Sequence, residues 1–255
     1  MLTQWIRRQV ERGLGHRGYE LKEIGRVSSR GFPACLEYAK SRGLAPKTVF
    51  DVGVGRGTPW LYEAFRDPKL VLIEPLPVFE AELLELVRRH GADWKRVALS
   101  DHAGRSQIHF NVSFPTSSSL HQLDPGFQRF ATRVQRLHRF RPVDVDLETL
   151  DQLNAYDPPY LIKLDVEGAE TRVLEGAKDT LQRTEFLILE ISVMRRFREE
   201  ASFAETIAFL DRSGFELFDI PSIAQVGRNG QLLYLDAAFV PKGSSLWPRD
   251  RTEGH

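Results

Sequence analysis

The sequence predicts an α/β fold built on a doubly wound, mostly parallel seven-stranded sheet, with a C-terminal antiparallel hairpin and an inserted cap region. Short apolar runs alternate with helical patterns, and a turn joins the last two runs. Such alternation favours a parallel sheet covered on both faces, because right-handed crossovers place helices against each face. A chain of 255 residues, 42% of them hydrophobic, suits one large domain.

The predicted elements follow a regular order along the chain. Apolar strand-like runs lie at 48–52, 70–74, 96–100, 161–165 and 186–191, and helical patterns at 30–43, 77–90, 168–182 and 202–213. The last runs, 215–220 and 232–240, flank a Gly/Asn turn at 227–230 and should pair antiparallel. We therefore predict a helical segment at 1–45, the main domain at 46–242 and a flexible tail at 243–255.

The alternation breaks at 103–147, where a long connection indicates a cap or lid. Its stretch "FPTSSSLHQL" is either a solvated turn or a site where Ser117, Ser118 and Ser119 bind sugar hydroxyls or a cofactor, with His121 as a candidate base. The following "RFATRVQRLHRFR" has helical spacing of arginines. It is either a solvated basic face or a clamp in which Arg136 and Arg139 bind an anionic acceptor.

Charge and cysteine content exclude several classes of protein. Lysines plus arginines number 35, equal to the acids, so we expect neither a nucleic-acid partner nor membrane insertion. The single Cys35 rules out an internal disulfide framework and fits a cytoplasmic protein. We found no apolar run of signal-peptide or membrane-spanning length. The arginine-rich helix at 3–12 is interpreted as docking on the chain or as a homo-oligomer contact.

The first strand ends in "VFDVGVGRGT", which places Asp51, Gly53, Gly55 and Gly57 at its carboxyl end. Glycines allow a tight turn and a close approach to a ligand, and ligands of open α/β sheets bind at this edge. The dinucleotide-binding fingerprint G-x-G-x-x-G requires a third glycine at the position of Thr58. The carboxylate of Asp51 would repel a diphosphate, and it suits a cationic amino group.

Further polar residues end the next strands. Glu74 can accept hydrogen bonds from both hydroxyls of a ribose. Ser100 and Asp101 are positioned to accept from an adenine amino group. A cationic amino acid, a ribose and an adenine together make S-adenosylmethionine, which we predict as the cofactor. The alternative is that these acids cap helices.

Motifs in a fixed order extend over about residues 48–192: "FDVGVGRG", "LIEPLP", "VALSD", "SSSL", "DLETLDQL", "IKLDVEGAE" and "LILEIS". In this the chain resembles the FkbM-type methyltransferases, a branch of the class I S-adenosylmethionine-dependent enzymes with a Rossmann-like sheet. The resemblance implies O-methylation of a hydroxyl on a sugar, polysaccharide, glycolipid or macrolide-type natural product. The glycine loop departs from its relatives at Arg56, and Trp60 is expected near the methionine end.

The stretch "LIKLDVEGAE" carries the predicted chemistry. Side chains alternate along a strand, so Lys163 and Asp165 share one face. We expect Asp165 to bind the cofactor's methyl end and to orient or deprotonate the acceptor hydroxyl, Lys163 to hold its charge, and Glu167 to be the next candidate. Glu170 is assigned to the following helix, and the alternative for Asp165 is an N-cap.

Two questions stay open at this point. Asp165, Glu167 and Glu190 have the oxygen ligands that Mg²⁺ prefers, although a sugar-hydroxyl site would contain the same carboxylates. Two other functions also fit a similar sheet: a nicotinamide-dependent oxidoreductase, and a non-catalytic module that kept a cofactor pocket.

Overall fold

The computed structural model describes residues 31–134, 139–153, 155–225 and 230–247. Within them the strands, in chain order, are β1 (Thr48–Val52), β2 (Lys69–Ile73), β3 (Asp93–Lys95), β4 (Ala98–Leu99), β5 (Gly104–Asn111), β6 (Phe140–Glu148), β7 (Tyr160–Leu164), β8 (Thr184–Ser192), β9 (Phe215–Gln225) and β10 (Leu232–Pro241). The α-helices are α1 (Gly31–Ser41), α2 (Pro59–Ala64), α3 (Glu80–His90), α4 (Pro125–Val134), α5 (Glu170–Glu175), α6 (Lys178–Leu181) and α7 (Phe203–Arg212). Short 3-10 helices cover Pro77–Phe79, Pro115–Ser117 and Leu150–Leu153.

The main sheet has seven strands in the order β3-β2-β1-β7-β8-β10-β9. The first five of these are parallel, whereas β10 runs antiparallel to both β8 and β9. The predicted fold class is thereby confirmed, including the C-terminal hairpin. Strand order reverses direction at β1, so the carboxyl ends of β1, β2 and β7 meet at one edge.

Apolar side chains fill both faces of this sheet. All five residues of β1 and of β7 are buried, as a strand covered on both sides requires. One core cluster joins the sheet to α1, α2 and α3 through side chains such as Leu36, Leu61 and Leu83. The other joins it to α5, α6 and α7 through side chains such as Val173, Leu181 and Leu210. No helix in the described ranges has the length and apolarity needed to cross a bilayer.

The predicted third strand lies elsewhere. We expected 96–100 in the main sheet, but β3 is the edge strand there, and β4 pairs with β6 in a separate three-stranded sheet of order β4-β6-β5. The edge of β2 is already taken by β3, and β6 offers an unpaired edge to Ala98 and Leu99. This small sheet forms most of the inserted region.

The basic helix predicted across 129–141 is shorter than expected. The helix α4 covers Pro125–Val134 in the described residues, and Phe140 already belongs to β6, whose residues 140–147 pair with β5. Arg141 therefore lies on a strand, with its guanidinium 5.0 Å from the centre of the Phe110 ring. Cross-strand pairing has overridden the helical spacing of the arginines.

The single helix predicted at 168–182 is divided into α5 and α6. Gly176 lies at the break, where a β-carbon would stand 2.2 Å from the carbonyl oxygen of Ser100. The close backbone approach explains the glycine and interrupts the helix at that point.

The predicted start of the flexible tail, residue 243, lies before residues that pack on the domain. Leu246 is buried, and the indole of Trp247 donates to Glu216 at 2.7 Å. The guanidinium of Arg42 donates to the carbonyl groups of both residues, at 3.2 and 3.0 Å. The predictions for 1–30, for most of the turn at 227–230, for Arg136 and for 248–255 fall on residues outside the described ranges.

Candidate active site

A cavity of about 370 Å³ lies where the parallel strands end, between the main sheet and the inserted region. Five acidic and two basic side chains of the described residues line it: Glu74, Asp165, Glu167, Glu190 and Asp236, with Arg56 and Lys163. This is the position at which open α/β sheets bind ligands, and the volume is in the range of small-molecule sites. The excess of acids favours a cationic ligand.

The glycine loop forms one wall of the cavity. Gly53, Gly55 and Gly57 all line it and all have positive φ. A β-carbon on Gly53 would lie 1.8 Å from the carbonyl oxygen of Asp165. The loop after β1 therefore packs directly on the exit of β7, which only glycine permits.

Glu74 comes directly after β2 and points its carboxylate at the same loop. Its two oxygens accept from the backbone N–H of Gly55 at 3.0 Å and of Leu76 at 2.9 Å. Burial raises its pKa, and these hydrogen bonds oppose that rise. Each oxygen keeps a free lone pair, so the position fits the predicted ribose contact, and Val97, Ala98 and Leu99 supply an apolar wall beside it.

The polar pair predicted for adenine does not reach this wall. Neither Ser100 nor Asp101 lines the cavity. The Ser100 hydroxyl donates to Asp101 at 2.9 Å, and Asp101 lies 2.7 Å from His102.

Asp51, Lys163 and Asp165 form an ion-paired group, called here the lysine group. Asp51 and Lys163 are register partners in β1 and β7, and the Lys163 ammonium lies 3.4 Å from each of the two carboxylates. Burial lowers the pKa of Lys163, but Asp165 and Asp51 together outweigh burial and raise it. Asp51 is fully buried, does not line the cavity and accepts from Tyr62. Asp165, 38% exposed, is the acid of this group at the cavity surface.

Hydrogen bonds to Ser119 and to Glu170 stabilise the turn after β7. Glu167 has φ +54°, a conformation that costs a non-glycine residue about 1–3 kcal/mol. Its carbonyl accepts from the Ser119 hydroxyl at 2.6 Å. Glu170 accepts from the backbone N–H of Val166 at 3.0 Å and of Gly168 at 3.3 Å. Glu170 therefore stabilises the turn that starts α5 and does not line the cavity.

Glu167, Glu190 and Arg196 form a second group, called here the arginine group. The Arg196 guanidinium donates to Glu167 at 2.9 Å and also to Glu190. Burial raises the pKa of Glu167 to about 7 and that of Glu190 well above its usual range, while Arg196 acts against both shifts. Sequence reasoning missed Arg196. Its signal is the charged run "MRRFREE" directly after the buried β8, which matches the run of acids after β7.

Asp165, Glu167 and Glu190 bring one carboxylate oxygen each within 4.8 Å of one another. Three such oxygens are a donor set that a hard divalent cation accepts. However, Arg196 already donates to two of the three carboxylates. The residues as arranged fit an arginine counter-charge better than a metal ion, so no chemical step is assigned to Mg²⁺.

The inserted region contributes some of its predicted residues and not others. Ser118 and Ser119 line the cavity, whereas Ser117, His121 and Arg139 do not. His121 is buried, with Nδ1 3.5 Å from a carboxylate oxygen of Glu199, and burial lowers its pKa. Since His121 does not face the cavity, the structure does not support it as the base.

The hairpin strand β10 adds residues that the sequence did not single out. Tyr234 and Asp236 line the cavity, and Asp236 lies opposite Glu190 in the pairing of β10 with β8. Burial raises the pKa of Asp236 to about 6. Trp60 also lines the cavity and stacks on Phe32 with ring centres 3.9 Å apart. Its place near the methionine end of the cofactor stays a prediction.

The sequence profile of the family described as "Methyltransferase FkbM domain" matches residues 51–217, well over half of the chain. The protein belongs to this family, as its motifs predicted. It is therefore an S-adenosylmethionine-dependent methyltransferase. A search of curated protein sequences found no match.

Several solved structures are similar to this one. Magnesium protoporphyrin IX methyltransferase (ChlM) from Synechocystis PCC 6803 with bound SAM is 11% identical, with a TM-score of 0.43, over 82% of this chain and 77% of that one. An rRNA methylase from Streptococcus thermophilus is 12% identical, with a TM-score of 0.43, over 85% and 99%. N-methyltransferase NodS from Bradyrhizobium japonicum is 13% identical, with a TM-score of 0.41, over 82% and 93%. None of the three identifies the acceptor of this chain.

Proposed function

We propose that the protein transfers a methyl group to a hydroxyl of a sugar, a polysaccharide or glycolipid, or a glycosylated natural product. The observation that carries this proposal is the convergence of Asp165, Glu167 and Glu190 on one cavity. A carboxyl group accepts hydrogen bonds in either protonation state, so three of them suit an acceptor that offers several hydroxyl donors. A nucleic-acid acceptor is disfavoured because these acids would repel its phosphates.

The cofactor would lie along the glycine loop, with its ribose hydroxyls on Glu74 and its charged end near Asp165. When bound, S-adenosylmethionine supplies a methyl group on a sulfonium and departs as an uncharged thioether. The acidic lining supports a cationic cofactor of this kind. It opposes a nicotinamide dinucleotide, whose diphosphate would meet the same carboxylates.

Asp165 is our candidate for the group that aligns the acceptor hydroxyl and takes its proton as the oxygen–carbon bond forms and the sulfur–carbon bond breaks. It is the partly exposed member of the lysine group, and Lys163 holds it in place from the buried side. A positioned base contributes about 10²–10⁴-fold in rate, and alignment of the hydroxyl adds to that factor. Glu167, in the adjoining turn, is the second candidate for contact with the acceptor.

Other expectations remain predictions. Arg139 is exposed and does not line the cavity. It therefore gives no support to an anionic group on the acceptor. A cytoplasmic location, a homo-oligomer and a requirement for Mg²⁺ are each open to direct measurement.

The acceptor class is tested with S-adenosylmethionine carrying a labelled methyl group. The enzyme is incubated with sugar nucleotides, lipid-linked sugars, polysaccharides, glycosylated macrolides and total RNA, and the label in each fraction is counted. We expect label in a saccharide fraction, in a form stable to mild base as an ether is. Label confined to RNA would overturn the proposal.

The cofactor is tested separately by calorimetry. S-adenosylhomocysteine should bind to the purified protein, and NAD should not. Binding of NAD without binding of S-adenosylhomocysteine would favour the oxidoreductase alternative. Glu74→Ala should weaken the binding of S-adenosylhomocysteine, because it removes the carboxylate that faces the glycine loop.

A further inference from the structure

Arg196 is a buried cation that sequence reasoning did not assign. Its residue is 7% exposed. Its Nε donates to the Ser192 hydroxyl at 3.0 Å, and its two terminal nitrogens donate to Glu167 and Glu190. The planar guanidinium can hold two carboxylates at once in a fixed geometry. Arg196 itself does not line the cavity, whereas both carboxylates do.

The charges around Arg196 show why it is needed. The acids that act on it or on its partners are Asp165, Glu167, Glu170, Glu190, Glu200 and Asp236. Lys163 is paired with Asp51 and Asp165, and Arg195 donates to the backbone carbonyl of Glu200 at 3.1 Å. Arg196 is thus the direct counter-charge of Glu167 and Glu190. Without it, two buried carboxylates would face each other unpaired, at a high cost.

The loop that carries Arg196 is itself fixed to the inserted region. The backbone N–H of Arg196 donates to Glu200 at 2.7 Å, and its carbonyl accepts from Asp124 at 2.9 Å. The next residue, Phe197, packs against Gly168, where a β-carbon would lie 2.6 Å from the ring. The guanidinium is therefore anchored between the inserted region and the turn that contains Glu167.

We infer that Arg196 supplies the positive charge that a divalent cation would otherwise supply among Asp165, Glu167 and Glu190, and that it is a positioning residue that directs Glu167 and Glu190 toward the acceptor. The positioning part rests on the proposed function. The counter-charge part does not, because cation binding can be measured without any acceptor.

The counter-charge is tested by titrating Mn²⁺ into the purified protein and following the free ion by electron paramagnetic resonance. Arg196→Ala should bind Mn²⁺ at least about tenfold more tightly than the wild type, because three carboxylates are then left to a hard cation. Arg196→Ala combined with Glu190→Gln should lose that gain. The matched control, Arg198→Ala, removes an exposed arginine two residues away and should bind as the wild type does. Equal Mn²⁺ affinity in the wild type and Arg196→Ala would overturn the inference.

The positioning role is tested by turnover with an acceptor found in the screen. Wild-type turnover should survive exhaustive chelation. Arg196→Lys keeps a charge but cannot hold both carboxylates, so its kcat/KM for the acceptor should fall about 10²-fold, with the affinity for S-adenosylhomocysteine unchanged. Guanidinium added to Arg196→Ala should restore part of the turnover. Loss of wild-type turnover on chelation, or unchanged kcat/KM in Arg196→Lys, would contradict the inference. Failure of the wild type to methylate any acceptor would count against the proposed function, and the Mn²⁺ titration would still decide the counter-charge.

Discussion

The lysine group and the arginine group each contribute two side chains to the same cavity but are assembled in different ways. In the lysine group, Asp51 and Lys163 are register partners on neighbouring strands, and Asp165 follows Lys163 on the same face. In the arginine group, the turn after β7, the strand β8 and the loop after β8 each contribute one residue. A charge balanced within the sheet depends on strand pairing alone. A charge balanced by a loop depends on the packing of the inserted region as well.

The two groups also adjoin different parts of the cavity. The lysine group adjoins the glycine loop, since Lys163 also donates to the carbonyl of Gly53 at 3.2 Å. The arginine group adjoins the inserted region, since Glu167 accepts from Ser119. We therefore expect changes in the lysine group to affect chemistry and stability, and changes in the arginine group to affect the acceptor.

The largest effect is expected for Asp165→Asn, which keeps the shape and removes the negative charge at the cavity surface. We expect kcat to fall by about 10²–10⁴-fold while S-adenosylhomocysteine still binds, as measured by single-turnover kinetics and calorimetry. Asp67→Asn, at an exposed site, should leave kcat unchanged. An unchanged kcat in Asp165→Asn would show that Asp165 does not take the acceptor's proton, whereas a wild type that binds S-adenosylhomocysteine but methylates no acceptor would indicate a non-catalytic cofactor-binding module.

Lys163→Met should lower the free energy of unfolding by about 3–5 kcal/mol, because it leaves the buried Asp51 without its cation. Lys242→Met provides the matched control. Lys242 lies 2.7 Å from Asp211, but both side chains are about half exposed or more, so its loss should cost less than about 1 kcal/mol. Urea unfolding of both variants measures the difference, and equal losses would mean that the lysine group does not depend on its ion pairs.

Gly53→Ala tests the contact between the glycine loop and β7. Gly53 and Gly91 both have positive φ, at +74° and +61°, so alanine at either position should cost about 1–2 kcal/mol. Gly91 has open space around it, whereas a β-carbon on Gly53 meets a carbonyl oxygen. Overpacking should add about 1–3 kcal/mol at Gly53 only. Thermal unfolding should therefore separate Gly53→Ala from Gly91→Ala, and equal melting temperatures would contradict the close packing.

Asp236→Asn should produce the smallest effect, and it should be stabilising. Asp236 interacts electrostatically with Asp165 and Lys163 of the lysine group and with Arg196 of the arginine group. Burial raises its pKa to about 6 in the folded state, from an ordinary value of 3.8. The folded protein then binds a proton more tightly than the unfolded chain, so the contribution of Asp236 to stability falls as pH rises from about 4 to above 6.

Removal of that charge should raise the free energy of unfolding by about 1–3 kcal/mol at pH 8. At pH 4 the gain should nearly vanish, because Asp236 is then protonated in the folded state. Denaturant unfolding of the wild type and of Asp236→Asn across this pH range measures the trend. A gain that does not depend on pH would show that charge is not its cause.

The sequence predicted the sheet well because its signals are local. The runs at 48–52 and 161–165 are apolar with charged residues at their ends, and they became the paired strands β1 and β7. The prediction that 96–100 belongs to the main sheet was wrong because Ala98 and Leu99 pair with β6, about fifty residues further along the chain. The helical prediction for Arg141 was wrong for a similar reason, since its cross-strand pairing with Phe110 of β5 outweighs helical periodicity.

Of the candidate site, the sequence by itself determined the glycine loop, Glu74, and the pairing of Lys163 with Asp165, because strand alternation and the common edge of parallel strands place them without further information. The tertiary structure alone decided that Asp51 and His121 do not line the cavity, and that Arg196 and Asp236 lie near the acids that follow β7 and near Glu190 of β8. Those positions depend on how the loop after β8 and the antiparallel strand β10 pack against the parallel strands. Such contacts are set by packing and leave no periodic signal in the sequence.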